Sequence, residues 1–317
     1  MTSLIIDTDP GVDDAFAIAL ACASPEVDLL AVTTVFGNAS LETTTRNALR
    51  LLALCGRTDV PVAAGADRPL VYPQEHEADR VHGSDGLSGR AHLLAPGPNE
   101  VSELDAVGLM ARLLAEADEP VTIAPIGPLT NIALLLGAYP SLRGKIERLV
   151  VMGGAISGGN TTAVSEFNLW SDPEAARRVL VEERIPTVLV PIDLTFQCMV
   201  QRPWLDRLAA SGPLGETLVG FTTDYVAHYT AFFGKECTIL HDAIAVAEAI
   251  RPGLLRTRSY PVEVDCAFGP SRGALIADRR EPEIVATFGS KLARALDIAV
   301  ETDVDAVLEY LLSRLAR

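Results

Sequence analysis

No block of Lys or Arg, no CxxC pair and no apolar stretch longer than the nine residues 15–23 occurs in this 317-residue sequence. Lysine itself is scarce: Lys145, Lys235 and Lys291 are the only three. Acidic residues outnumber basic ones 42 to 26, a net charge of −16, and such a field repels a phosphate backbone, so nucleic-acid binding is not expected. Nine apolar residues are too few to span a bilayer, and no membrane association is expected. The N-terminus has no basic segment followed by an apolar one, so a secretion signal is not expected either and the reading is cytoplasmic. Cys22, Cys55, Cys198, Cys237 and Cys266 are odd in number and scattered. They read as reduced buried thiols, not as a disulfide framework or zinc site.

What the chain has in quantity is apolar material, 49% of residues, which is enough for a large core and excludes disorder. Short β-branched runs at 3–7, 29–35, 121–125, 148–152 and 187–191 read as buried strands. Helical spacing fills 13–23, 41–55, 105–117, 129–136 and 173–183 between them. This alternation predicts an α/β fold, a doubly wound, mostly parallel sheet with helices on both faces. A mainly helical region follows at 203–233 and 242–250, then a hairpin from 259–266 and 273–277, then a last helix at 304–316. Two stretches, 67–103 and 153–166, are rich in Gly with Pro or Thr and read as functional loops. Without a repeat or a clear linker, 1–317 reads as one domain.

The strongest local signal is Asp7-Thr8-Asp9-Pro10-Gly11-Val12-Asp13-Asp14, four carboxylates in eight residues between a strand and a helix. In a doubly wound fold that junction lies on the carboxyl edge of the sheet, where ligands bind. Carboxylates so crowded raise one another's pKa unless a cation neutralises them, and an all-oxygen set suits Ca²⁺ or Mg²⁺. Helix capping accounts for one or two of the four and leaves Asp7 and Asp9 without a reason. Further motifs are Gly37-Asn38, Gly127-Pro128-Leu129-Thr130-Asn131, Met152-Gly153-Gly154, Glu166-Phe167-Asn168, Asp172-Pro173-Glu174-Ala175 and His241-Asp242-Ala243-Ile244-Ala245.

Taken in this order, the motifs resemble those of the inosine-uridine-preferring nucleoside hydrolases along nearly the whole chain. The resemblance implies a Ca²⁺-dependent enzyme that cleaves ribonucleosides to ribose and free base, assembled as a homo-oligomer, a dimer or tetramer. It implies that Asp9, Asp14, Asp242 and the carbonyl of Ile126 bind the metal. Asp9 is also the general base for the water on the metal, and His241 protonates the departing base. Asp13, Asn38, Asn160, Glu166 and Asn168 correspond to ribose contacts, with Asn160 and Glu166 on the 5′-hydroxyl. His82 falls in a mobile loop that closes over the site in relatives. Tyr225 and Tyr229, four apart on one helix face, border the base pocket; Asp7 supports the turn, and Trp170 and Trp204 read as core.

The chemistry asks for these groups. Breaking an N-glycosidic bond creates a cationic sugar and an anionic base, so carboxylates belong on one side and a proton donor on the other. A haloacid dehalogenase-like Mg²⁺ phosphatase also uses a strand ending in Asp-x-Asp, but it needs a Lys on the phosphoryl group, and no lysine here is well placed. A non-catalytic nucleoside or ribose binder would have lost Asp9 or His241, and both are present.

Overall fold

The computed structural model describes residues 1–72, 79–98, 100–290, 292 and 294–316. Lys291 and part of the 67–103 stretch, at 73–78 and 99, lie outside the described residues. One nine-stranded sheet organises the chain, with β1 (Thr2–Thr8), β2 (Val27–Thr34), β3 (Val62–Ala64), β4 (Val121–Pro125), β5 (Ile146–Met152) and β6 (Thr187–Val190) all parallel. A two-stranded antiparallel pair, β7 (Met199–Val200) and β8 (Thr238–Ile239), lies apart from it. Beyond β6 the sheet continues through β9 (Leu255–Val264), β10 (Leu275–Ala277) and β11 (Arg294–Thr302), in the full order β10-β9-β11-β6-β5-β4-β1-β2-β3.

Alternate residues of β1 explain the layering: Leu4 and Ile6 enter one apolar cluster, and Ile5 enters the other. The first cluster is closed by the helices Val12–Ala23, His241–Ile250 and Val304–Leu315, the second by Ala106–Glu116 and Thr130–Ala138. Strands apolar on both faces and helices above and below are what the sequence pattern requires. The strand order reverses between β1 and β4, so the loops after these two strands open a crevice at the carboxyl edge.

Several local expectations need correction. β11 carries no strand period in the sequence, because its charged residues Arg294, Asp297 and Glu301 fall three and four apart; it lies parallel to β6 and antiparallel to β9, inside the sheet. The 203–233 helical region breaks into Arg202–Ala209 and Pro213–Phe233 at Gly212, whose φ of 147° no ordinary side chain favours. The 173–183 helix runs α over Pro173–Arg177 and then widens to a π turn over Arg178–Glu182. Trp204 is buried and donates its indole N–H to the Leu308 carbonyl at 2.9 Å, whereas Trp170 is only half-buried. Of the five free thiols, Cys198 and Cys237 are buried, and Cys22, Cys55 and Cys266 are partly exposed. Among the described residues no helix is long and apolar enough to cross a membrane.

Candidate active site

The reversal point carries the acidic string. β1 ends at Thr8, the chain turns through Pro10-Gly11, and the Val12–Ala23 helix begins with Asp13 and Asp14 in its first turn. Asp14 is partly a capping residue: its Oδ2 accepts the N–H of Gly11 at 2.8 Å. It also accepts from the Thr8 hydroxyl and, at 3.1 Å, from Asn38 Nδ2. Asp9 Oδ2 accepts the Asn38 N–H at 2.7 Å, while its Oδ1 is buried without a partner. Asp242 arrives from the far end of the chain, in the first turn of the His241–Ile250 helix.

Carboxylate oxygens of Asp13, Asp14 and Asp242 lie within 4.8 Å of one another, and all three residues are buried. Burial and then the charge of Asp14 push Asp13 up to about 7, although the Tyr225 hydroxyl pulls the other way. Asp9 is raised well above the usual range by burial and by Asp14; Asp242 is raised by burial and by Asp13. Three converging carboxylates beside an orphaned carboxylate oxygen form a hard, all-oxygen donor set, and a divalent cation fits it. Asp13, Asp14 and Asp242 form the close trio, and Asp9 stands outside it. The Ile126 carbonyl accepts from Asn168 Nδ2 at 2.9 Å.

Asp7 does support the turn. Its Oδ1 accepts from Thr33 Oγ1 at 2.6 Å and from Asn131 Nδ2 at 2.8 Å. Asn131 also donates to the Thr34 carbonyl at 3.0 Å and accepts the Ala66 N–H at 2.8 Å. The Gly127-to-Asn131 motif is thereby a clamp across β1, β2 and the segment after β3. Asp172 has a comparable structural task, capping Pro173–Arg177 and accepting from Thr130 Oγ1 at 2.7 Å.

One cavity is lined by Asp13, Asn38, His82, Ile126, Asn160, Glu166, Asn168, Tyr225, Tyr229, His241 and Asp242, with Asp9 and Asp14 buried beyond its lining. Glu166 caps the Phe167–Ser171 helix, and its Oε2 also accepts the Gly154 N–H at 2.8 Å. Asn160 is exposed at the rim, where its Oδ1 accepts the Phe167 N–H at 3.0 Å. His82 is buried, with Nδ1 accepting the Val12 N–H at 3.1 Å, and its loop is tied down by Asp85 and by Ser88 Oγ on the Phe221 carbonyl at 2.6 Å.

In the same cavity, Tyr229 Oη is 2.6 Å from His241 Nε2, and the Tyr225 and Tyr229 rings meet edge to face at 5.1 Å. Burial lowers His241 to about 3, so the ring is neutral at pH 7, where the sequence reading had an acid poised near neutrality. Missed in the sequence were Phe196, His228 and Phe232, which also line the cavity. His228 and Phe232 continue the helical face of Tyr225 and Tyr229 at spacings of three, a periodicity that points to them.

Two outcomes follow from this packing. An unfolded Asp titrates near 3.8 and Asp7 at about 7, so the folded chain holds that proton more tightly. The stability from it is complete below about pH 4 and is lost as pH rises through 7. Asp7→Asn keeps an acceptor for Thr33 and Asn131 without the charge. Its stability advantage over the wild type should grow by roughly 4 kcal/mol between pH 4 and 8 in denaturant titrations. A pH-independent difference contradicts this. The Asp9 carboxylate is also pinched between two glycines: a Cβ on Gly127 would sit 2.6 Å from Oδ1, and one on Gly37 2.0 Å from Oδ2. Gly127→Ala should lower kcat by about 10²-fold through displacement of Asp9. Gly137→Ala, with nothing within 4 Å of the new methyl, is the control and should keep full turnover.

Comparisons with known proteins agree with this geometry. Residues 4–309 match the family described as inosine-uridine preferring nucleoside hydrolase. The chain is 41% identical over 278 residues to the pyrimidine-specific ribonucleoside hydrolase RihA of Escherichia coli O81 (strain ED1a), covering 87% of this chain and 88% of that protein. Among solved structures, the plant nucleoside hydrolase PpNRh1 superposes with a TM-score of 0.90 at 30% identity, covering 99% of both chains. The purine-preferring ribonucleoside hydrolase from Gardnerella vaginalis superposes with a TM-score of 0.89 at 29% identity, covering 99% of this chain and 98% of that one. A match over nearly the full length, with the acidic turn and the His241 wall facing one cavity, places the chain in the inosine-uridine preferring nucleoside hydrolase family, enzymes that hydrolyse the N-glycosidic bond of nucleosides.

Proposed function

We propose that this chain hydrolyses ribonucleosides to ribose and free base, with Asp9 as general base and His241, acting with Tyr229, as proton source for the leaving base. The observation that carries the reading is that one cavity is lined both by the buried carboxylates of Asp13 and Asp242 and by a hydrogen-bonded Tyr229–His241 pair. A glycosidic bond held between them has the sugar facing negative charge and the base facing a proton donor, as its transition state requires.

Asp9 Oδ1 has a free lone pair in a buried setting, which suits it to take the proton of the attacking water. The water oxygen joins the anomeric carbon, and the base leaves with the bonding electron pair. Developing negative charge on the base draws a proton from the Tyr229–His241 pair, which is later restored from solvent. Asp13, Asn38 and Asn168, which line the cavity, take the ribose in this reading, and Asn160 and Glu166, which also line it, take the 5′-hydroxyl. In this reading Asp9, Asp14, Asp242 and the Ile126 carbonyl hold Ca²⁺, with Asp13 close enough to share in it. Bound there, the cation supplies the positive charge that makes the carboxylates tolerable and orients water and ribose hydroxyls. The 41% likeness to a pyrimidine-specific hydrolase makes uridine the first substrate to test. Action as one unit over 1–317, assembly as a homo-oligomer and a cytoplasmic location belong to the same proposal.

Asp9 is required whatever the leaving group, whereas a general acid matters in proportion to how badly the base needs a proton. His241→Ala should lose about 10²–10⁴-fold in kcat on uridine or inosine and far less on p-nitrophenyl riboside, while Asp9→Ala is crippled on all three. Equal losses for His241→Ala on both kinds of substrate remove it from the proton path. Ribosides should also exceed 2′-deoxyribosides in kcat/KM by roughly 10⁴ where buried groups read the hydroxyl. Metal analysis of protein purified without chelator should find one Ca²⁺ per chain, and full activity without any divalent ion refutes the cation's role.

A further inference from the structure

His241 has a second partner that the motif does not reveal. Thr195, fully buried at the end of the short helical turn Ile192–Thr195 after β6, places Oγ1 2.6 Å from His241 Nδ1. The same hydroxyl lies 3.4 Å from the Ile192 carbonyl, to which it can donate. The imidazole is therefore held at both nitrogens, by Thr195 on Nδ1 and by Tyr229 on Nε2, with Phe196 edge-on 5.7 Å away.

A hydroxyl both donates and accepts, and this is what the position uses. When Nδ1 is bare, the Thr195 O–H donates a hydrogen bond to it. When Nδ1 carries a proton, the Thr195 oxygen accepts the N–H hydrogen bond and its own O–H turns to the Ile192 carbonyl. Both arrangements keep the ring in one plane, with Nε2 on the Tyr229 hydroxyl. A carboxylate there would favour the charged ring, and an apolar side chain would leave a buried Nδ1 unpartnered.

We propose that Thr195 is a positioning residue for His241: its hydroxyl satisfies Nδ1 in either tautomer and fixes the ring, so that Nε2 is the nitrogen turned to Tyr229 and the leaving base. This deepens the reading of His241 as proton source and rests on it. Thr195→Val removes the hydroxyl at nearly constant volume, and Thr195→Ser restores it. Positioning partners of this kind are worth about 10–100-fold. Thr195→Val should lose that much kcat on uridine, with KM changed by no more than about twofold. On p-nitrophenyl riboside its kcat should stay within about threefold, and Thr195→Ser should behave as wild type on both.

A readout independent of turnover comes from ¹⁵N NMR of protein labelled in histidine, with His241 assigned by its loss in His241→Ala. The His241 ring shifts should agree between wild type and Thr195→Ser and move in Thr195→Val. An unchanged spectrum in Thr195→Val, or an equal kcat loss on both substrates, overturns the positioning role. A selective His241→Ala beside an unaffected Thr195→Val overturns it as well and leaves the acid intact. A His241→Ala that suffers equally on both substrates overturns the acid role itself, and with it this proposal.

Discussion

Negative charge buried in a small volume is the constraint on which the rest of this structure depends. Asp9, Asp13, Asp14 and Asp242 are all nearly inaccessible, and burial raises the pKa of each before any neighbour is considered. A charge moved out of water costs several kcal/mol unless hydrogen bonds or opposite charge offset it. No Lys or Arg forms an ion pair with any of the four among the described residues. What faces them instead is backbone N–H groups at a helix start, the Thr8 hydroxyl, the Asn38 amide and the Tyr225 hydroxyl. Such partners leave the cluster short of positive charge, and a divalent cation makes up the difference.

That shortage shapes the surrounding backbone. Two loops must approach the Asp9 carboxylate more closely than any Cβ allows, so Gly37 and Gly127 stand there. The loops belong to β2 and β4, the two neighbours of β1, and the Asn131 clamp holds their ends in register through Asp7. The motifs scattered along the chain are thus one object, a rigid frame around a group of charges that repel one another.

The aromatic lining is built on the opposite principle. Tyr225, Tyr229, Phe196 and His241 form an aromatic cluster in which Tyr229 bonds His241 and Tyr225 reaches Asp13, and burial keeps the imidazole neutral. A neutral, hydrogen-bonded pair neither repels an incoming base nor competes with the carboxylates for positive charge. The cavity therefore joins carboxylates that demand positive charge with a neutral aromatic cluster that tolerates developing negative charge, the two kinds of environment a breaking glycosidic bond needs.

The sequence alone was enough for the sheet-and-helix order, the acidic turn after β1 and the place of that turn at the carboxyl edge. Each is encoded locally, in periodicity, in a strand-to-helix boundary and in four carboxylates within eight residues. Tyr225 and Tyr229 were legible for the same reason, since spacing on a single helix fixes their common face. Strand β11 was not, because its charges fall three and four apart and only pairing with the neighbours β6 and β9 makes it a strand. Nor was the convergence of Asp13, Asp14 and Asp242 within 4.8 Å, which depends on where a helix 228 residues further on delivers Asp242. Thr195 is the clearest case. A lone Thr after a strand carries no pattern, and only the fold brings its hydroxyl to His241, 46 residues away in the chain, at 2.6 Å.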